Sequence, residues 1–203
     1  MKYNIMFYAY HIKKIIISFI YVNINIIKLL LWTGKIFRIK ACGPISIFIH
    51  PSAKLTIGQN CRINSGILFN PYRYYNKFSI VLHKNSVLEI GNNVGFSNCT
   101  IIVKKRITIG DNVLIGGGTL ICDSDLHSLD SDQRANKKED VLTKEILIGK
   151  SSFIGGGVTI LKGVVIGENS IIGACSVVTK DVSSNSIYGG NPSKLIKSLD
   201  ENG

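Results

Sequence analysis

The first 88 residues of this 203-residue chain contain no aspartate or glutamate, although they carry 12 lysines and arginines. The first acidic residue is Glu89, and residues 89–203 hold 12 basic and 13 acidic side chains. The formal net charge of +11 therefore comes from the N-terminal part. Because the C-terminal part is nearly neutral, it is not a general polyanion binder, and we expect no nucleic-acid partner. The length suits one domain with a short appendage.

The five cysteines are scattered, and no two of them form a CxxC pair. This spacing excludes a zinc ribbon and a secreted disulfide framework, and it favours reduced thiols in the cytoplasm. The four histidines are separated by 39, 33 and 44 residues. A zinc site built from three histidines usually draws on a close pair, so we expect no metal.

The N-terminal segment is apolar and basic. Its longest run without an amide or a charge is Ile15–Val22, which is short of the ~20 apolar residues of a membrane-spanning helix. No small-residue cleavage site follows, so a removed signal peptide is not indicated. We predict a helical segment over residues 1–44, with three placements left open. It packs on the rest of the protein, lies on a membrane surface beside Lys13, Lys14 and Lys28, or spans a membrane despite its short apolar run.

An aliphatic residue recurs every six positions through much of the chain. The unbroken series is Ile148, Ile154, Ile160, Ile166, Ile172 and Val178. Shorter series run from Val103 to Ile121, from Ile90 through Phe96 to Ile102, and from Ile57 to Ile63, often with glycine next in sequence. Helices repeat near 3.6 residues and strands near 2, so neither alone explains this period. Short strands joined by tight turns explain the period, with three strands in each coil of about 18 residues.

These repeats resemble the hexapeptide-repeat acyltransferases, and in particular their maltose/galactoside O-acetyltransferase branch with its polysaccharide-modifying relatives. The matching stretches are ITIGDNVLIGGGTLI, DSDLH, ILIGKSSFIGGGVTILKGVVIGENSIIGACSVVTKDV and GGNPSKLIK. The resemblance implies a mainly β fold, the left-handed parallel β-helix, in a homotrimer with active sites between subunits. We predict this solenoid over residues 45–187 with a projecting loop at 122–146, then an exit turn and a short C-terminal helix over 188–203.

The projecting loop carries the candidate general base. It interrupts the repeat between Ile121 and Ile146, is highly charged, and contains a single histidine, His127. Acetyl transfer to a hydroxyl needs a base of near-neutral pKa, which histidine supplies. The resemblance assigns the catalytic role to His127, because the family's histidine lies at the start of the equivalent loop. Asp123 and Asp125 are candidates for orienting His127 or for binding the acceptor. Asn98 matches a family asparagine that contacts the acceptor sugar.

The resemblance also implies acetyl-CoA as the donor. Small residues would leave a groove open for the pantetheine arm, and lysines suit the nucleotide phosphates. The family positions fall on Phe153, Gly156, Ala174, Thr179, Lys180, Lys194 and Lys197.

Together these features predict an acetyl-CoA-dependent saccharide O-acetyltransferase in surface polysaccharide biosynthesis, of the capsule, O-antigen or exopolysaccharide kind. It would be cytoplasmic or peripheral on the inner membrane. An N-acetyltransferase of an amino sugar and a catalytically silent scaffold are the alternatives that the sequence leaves open.

Overall fold

The computed structural model describes residues 2–71, 77–136 and 141–199. Within these ranges the helices are α1 (Lys2–Thr33) and α2 (Ser131–Asn136). The strands of sheet A are β1 (Ile39–Cys42), β4 (Cys61–Asn64), β7 (Gly95–Ser97), β10 (Leu114–Ile115), β13 (Phe153–Ile154), β16 (Ile171–Ile172), β18 (Ser186–Gly189) and β19 (Lys194–Ser198). Sheet B contains β2 (Ile45–Ile49), β5 (Phe78–Leu82), β8 (Thr100–Val103), β11 (Leu120–Cys122), β14 (Thr159–Ile160) and β17 (Val177–Val178). Sheet C contains β3 (Lys54–Ile57), β6 (Val87–Ile90), β9 (Arg106–Ile109), β12 (Ile146–Ile148) and β15 (Val165–Ile166).

From β1 to β17, successive strands belong to sheets A, B and C in turn. Each strand from β1 to β14 pairs in parallel with the strand three places later, which is its counterpart one coil on. Three strands therefore make one coil, and the coils stack along a common axis. This architecture confirms the predicted mainly β, left-handed parallel β-helix.

The six-residue period identifies the inward positions of the later coils. All six aliphatics from Ile148 to Val178 are fully buried, and Ile154 lies opposite Ile172 in the register of sheet A. The series that ends at Ile102 is wrong at its last member. Ile102 is only half-buried, whereas Ile101 and Val103 on either side of it point inward. The turn that follows Phe96 is one residue shorter than the period assumes, and this shifts the register of β8.

Two segments project from the coils. The first is the predicted loop, which joins β11 to β12 at the corner between sheets B and C. The second was not predicted and joins β4 to β5 at the corner between sheets A and B, over residues 65–77. The structure describes residues 65–71 and 77 of this second loop. Both loops fall where the aliphatic period lapses.

Helix α1 is one continuous helix that packs on the first strands through its C-terminal half. Leu29 is buried against the solenoid, and the buried amide of Asn25 donates to the carbonyl oxygens of Ala41 and Gly43, each at 2.9 Å. The first solenoid strand, β1, begins at Ile39, six residues before the predicted boundary at residue 45. From Tyr8 onward, the rest of α1 leaves most of its apolar side chains exposed. By length and composition alone, Tyr8–Thr33 is able to cross a membrane.

The short C-terminal helix predicted after the exit turn is wrong. Lys194–Ser198 forms β19, which pairs antiparallel with β18. A helix of this length is unstable without tertiary packing, and Leu195 and Ile196 are both exposed. The free edge of β18 offers unpaired backbone groups instead. The turn at residues 190–193, which begins with Gly190, folds the chain back onto that edge.

The glycines that follow inward aliphatics are needed only where two coils approach closely. A Cβ on Gly149 would lie 2.5 Å from the backbone nitrogen of Glu168 in the next coil. A Cβ on Gly173 would lie no closer than 3.4 Å to its nearest neighbour, which is ordinary van der Waals contact. The same repeat position therefore accepts a side chain in some coils and not in others.

We predict that Gly149→Ala destabilises the protein by about 1–3 kcal/mol, the usual cost of overpacking. Gly173→Ala, the matched control, should stay within about 0.5 kcal/mol of wild type. Urea unfolding of both variants measures the difference. Equal losses at the two positions would contradict the close-approach explanation.

Candidate active site

The predicted site residues lie at two different corners of the solenoid. The B–C corner, where sheet B turns into sheet C, holds the loop with Asp123, Asp125 and His127. The A–B corner, where sheet A turns into sheet B, holds Asn98 and the stacked small residues. One strand of sheet B separates the two corners within a coil.

Asp123 anchors the start of the His127 loop. Its fully buried carboxylate accepts the backbone N–H groups of Lys104 and Lys105, each at 2.7 Å. Burial raises the pKa of this carboxyl, and the same backbone hydrogen bonds act in the opposite direction. Both carboxylate oxygens are therefore engaged by the preceding coil. The acceptor-binding or His-orienting role of Asp123 stays a prediction.

Asp125 forms the second anchor, with a partner that sequence reasoning missed. The ammonium group of Lys162, which lies at the B–C corner one coil later, donates to Asp125 Oδ1. The two side chains are 24% and 19% exposed, so the ion pair is largely shielded from water. The other oxygen, Oδ2, is buried and has no hydrogen-bond partner among the described residues. No local signal in the sequence links positions that are 37 residues apart.

His127 is held at an exposed point between these anchors and the rest of the loop. The residue before it, Leu126, has a φ of 64°, and its carbonyl oxygen accepts a hydrogen bond from Lys104 Nζ at 3.1 Å. Ser124 bridges Thr143 on the returning arm of the loop. The backbone around His127 is therefore fixed to the coils, while its imidazole faces outward. A base presented in this way needs little ordering before it reacts.

The Asn98 side chain is buried and is used within the chain. Its Oδ1 accepts the N–H of Gly66 at 2.7 Å, and its Nδ2 donates to the carbonyl oxygen of Asn70 at 3.3 Å. Asn98 thus fixes the base of the 65–77 loop beside the A–B corner. Its predicted contact with an acceptor sugar stays a prediction, and the structure adds this supporting role.

The predicted donor residues include a column of small residues along the A–B corner. Gly156 and Ala174 lie in successive coils, and the N–H of Cys175 donates to the Gly156 carbonyl oxygen at 2.9 Å. The Ala174 side chain is exposed, so nothing bulky covers this corner. Beside it, the exposed Phe153 ring forms one wall of a cavity of about 280 Å³ on the outer face of sheet A.

The remaining donor residues lie near the C-terminal end of the solenoid, and all are exposed. Thr179 and Lys180 follow β17 at the B–C corner, on the same side as His127. Lys194 and Lys197 lie on β19 beside sheet A. The preceding exit turn attaches to sheet B through the Ser193 N–H, which donates to the carbonyl oxygen of Val177 at 2.8 Å.

A single chain therefore brings the predicted residues into two groups rather than one. The histidine group occupies the B–C corner with Lys180, and the groove group occupies the A–B corner and sheet A. Among the described residues, no three histidine, cysteine, aspartate or glutamate side chains lie together as metal ligands. The arrangement is suited to proton transfer at one corner and to binding an extended ligand at the other.

Comparisons with known proteins agree with this architecture. Residues 145–180 match the family described as "Bacterial transferase hexapeptide (six repeats)". The galactoside O-acetyltransferase of Escherichia coli K12 is 32% identical over 147 residues, which cover 72% of this chain and 64% of that protein. The aligned regions span 48%, 64% and 58% of three curated relatives. The chain thus matches about half to two thirds of their length.

Solved structures extend the likeness. A maltose O-acetyltransferase from Clostridium difficile 630 is 31% identical, with a TM-score of 0.50 over 73% of this chain and 67% of the other. The N-acyltransferase AntD from Bacillus cereus, solved with dTDP-4-amino-4,6-dideoxyglucose and coenzyme A, gives a TM-score of 0.61 over 79% of this chain and 81% of that chain. At 22% identity, the AntD likeness shows the fold alone.

The Lys162–Asp125 pair yields a stability prediction. Lys162→Met leaves a largely buried carboxylate unpaired, and we expect a loss of about 1–3 kcal/mol in the free energy of unfolding. The double variant Asp125→Asn/Lys162→Met should recover much of that loss, because it also removes the charge. Urea unfolding gives each value.

The control is the exposed pair Lys150–Glu168, in which the charged atoms are 3.1 Å apart and the side chains 65% and 52% exposed. Lys150→Met should cost no more than about 1 kcal/mol. If Lys162→Met is as mild as Lys150→Met, the pair does not anchor the loop.

Proposed function

Because the chain belongs to the hexapeptide-repeat acyltransferases, in their maltose/galactoside O-acetyltransferase-like branch, we propose that it transfers the acetyl group of acetyl-CoA to a saccharide hydroxyl. The observation that carries the proposal is the way the His127 loop is attached. Asp123 and Asp125 fix it to the coils before and after it, and the imidazole is left facing outward. A purely structural insertion would not need a fixed, exposed base.

In the proposed reaction, the acceptor hydroxyl oxygen attacks the thioester carbonyl carbon while His127 takes the hydroxyl proton. The carbon–sulfur bond then breaks, and the imidazolium returns the proton to the CoA thiolate. The products are an acetyl ester and free CoA. Phe153, Gly156 and Ala174 would line the donor groove, and Thr179, Lys180, Lys194 and Lys197 would meet the rest of the cofactor, with the lysines at its phosphates.

We further propose that the working enzyme is a homotrimer with each active site between two subunits. The support is the separation of the two residue groups. His127 projects from the B–C corner, whereas the small-residue groove lies along the A–B corner of the same chain. A neighbouring subunit that turns its A–B corner toward this B–C corner would complete a site.

The acceptor class that we propose is a surface polysaccharide or its precursor, modified in the cytoplasm at the inner membrane. The support lies in α1, whose exposed apolar side chains include Ile15, Phe19 and Leu31. Basic residues accompany them, and the sequence contains no acidic residue before Glu89. Such a helix suits an anionic membrane surface, where precursors of these polymers are assembled on lipids.

We predict that His127→Ala lowers turnover by a factor of about 10²–10⁴, the usual contribution of a general base. The assay is CoA release with acetyl-CoA and a panel of sugar hydroxyl and amino-sugar acceptors. His50→Ala, a change at the B–C corner of the first coil, three coils before His127, is the control and should keep wild-type turnover.

The panel separates the proposal from its two alternatives. Transfer to hydroxyl sugars supports it, and transfer to amines alone identifies an N-acetyltransferase. Absence of transfer to every acceptor would favour a silent scaffold. Retention of most turnover by His127→Ala would remove His127 from the mechanism.

Mixed trimers test the shared site. We predict that His127→Ala and Ala174→Trp chains are each inactive alone, since the tryptophan fills the groove. After the two are unfolded and refolded together at equal ratio, about a quarter of the sites combine an intact histidine with an intact groove. CoA release should then return to about a quarter of wild type. A mixture as inactive as its components would place both groups of each site in one chain.

A further inference from the structure

A second cavity, of about 480 Å³, lies between α1 and the first strands of sheet A. This volume is within the range of sites that bind small molecules. The donor and histidine groups described above contribute none of its lining residues. Its lining residues are Lys14, Ile15, Ser18, Phe19, Val22, Lys40, Cys42, Arg62 and Phe69.

Three cations face this cavity, and no carboxylate of the described residues is paired with them. Lys40 and Arg62 are register partners on β1 and β4, so two positive side chains leave the same face roughly 4.8 Å apart. Lys14 lies over the Phe69 ring, 5.9 Å from its centroid. Within the described residues, none of the three forms an ion pair. Like charges on neighbouring strands repel, and a bound anion relieves that repulsion.

The other wall of the cavity is apolar. Ile15, Phe19 and Val22 are spaced along one face of α1, and both Ile15 and Phe19 are largely exposed. Exposed isoleucines continue this apolar surface around the helix, at Ile12 and Ile16. A ligand that matches both walls carries a phosphate and an apolar chain.

The cavity adjoins the smaller cavity beside Phe153 along sheet A. Arg62 lines both this cavity and the smaller one that ends at Phe153. Along the sheet register, Arg62 is followed by Gly95, Leu114 and Phe153 on successive strands. Three strand spacings of about 4.8 Å separate Arg62 from Phe153 by roughly 14 Å. Between the two, the Leu114 side chain covers Gly95, with its Cδ2 2.8 Å from the point where a Cβ on Gly95 would lie.

We infer that the acceptor is a saccharide linked through phosphate to a membrane lipid, an inference that rests on the proposed function. The phosphate lies among Lys14, Lys40 and Arg62. The lipid chain follows the apolar face of α1 toward the bilayer. The saccharide extends over Gly95 and Leu114 and brings a hydroxyl to the Phe153 wall.

The first experiment measures ligand binding to the full chain without catalysis. Farnesyl phosphate is the probe, and farnesol and inorganic phosphate are its two separated halves. We expect wild type to bind farnesyl phosphate at least tenfold more tightly than either half. Lys40→Ala/Arg62→Ala should weaken that binding at least tenfold. Lys54→Ala/Lys84→Ala removes the same charge outside both cavities and should leave it unchanged.

Each other outcome overturns the inference. If farnesol binds as tightly as farnesyl phosphate, the cavity is apolar and does not recognise phosphate. If inorganic phosphate binds as tightly as farnesyl phosphate, the cavity is a site for free anions. Equal losses in the two double variants show an effect of net charge alone. The protein is also tested with phosphatidylglycerol vesicles. If it binds these vesicles but not monomeric farnesyl phosphate, and if both double variants lose vesicle binding equally, the basic residues form a membrane-binding surface instead of a pocket.

The second experiment connects the cavity to the acceptor. A sugar that the acceptor panel identifies, joined through phosphate to a farnesyl chain, should have a KM at least tenfold below that of the free sugar and leave the acetyl-CoA KM unchanged. Lys40→Ala/Arg62→Ala should remove this advantage, whereas Lys54→Ala/Lys84→Ala should keep it. Equal KM values for the linked and the free sugar would reduce the cavity to a membrane anchor. The two proposals fail separately. If the protein does not recognise the phosphate, the lipid-linked acceptor is wrong, but acetyl transfer to free sugars still supports the proposed function. If no acceptor is acetylated, the proposed function is wrong, while the binding of farnesyl phosphate is still measured without catalysis.

Discussion

The distance between neighbouring coils determines what each position of this solenoid is able to hold. Inward positions stack on their counterparts one coil away, as Ile154 does on Ile172, so they accept aliphatic side chains in continuous register. At the corners the backbones approach so closely that a Cβ on Gly149 would meet the next coil at 2.5 Å. The coils therefore have little room for reactive groups. Chemistry is confined to the outward faces and to the loops that leave the stack.

The two loops leave the solenoid at different corners. One loop leaves at the B–C corner with His127, and the other leaves at the A–B corner, where Asn98 fixes its base. Because the sheets are rigid, no small local movement brings the two corners together. An assembly of several chains would resolve this separation, since it would join unlike corners of identical subunits. The proposed shared site is therefore supported by the solenoid's shape as well as by the family resemblance.

The period of six was sufficient to predict a solenoid of three-strand coils, because each inward residue repeats a local steric requirement, and the family resemblance implied its left-handed form. The lapse after Ile121 likewise predicted the loop that carries His127. Features that depend on residues distant in sequence were not predictable. Lys162 meets Asp125 across 37 positions, and the Asn98 amide serves a loop that begins 33 residues earlier, at Ser65. The C-terminal strand was misassigned because its structure depends on the free edge of β18, which local sequence does not reveal.

Neutral amides take the place of acids at one corner of the first coils. At this corner position, Asp111 accepts the backbone N–H of Asn92 at 2.6 Å, and one coil earlier Asn92 itself accepts the N–H of Gln59 at 2.8 Å. Asn92 Nδ2 also donates to Asp111 Oδ1 at 3.2 Å, a hydrogen bond that a carboxylate at position 92 would lose while it repelled Asp111. The amide therefore meets the needs of the corner and adds no negative charge. It also keeps the electrostatic field positive around Lys40 and Arg62, where an anionic acceptor would enter.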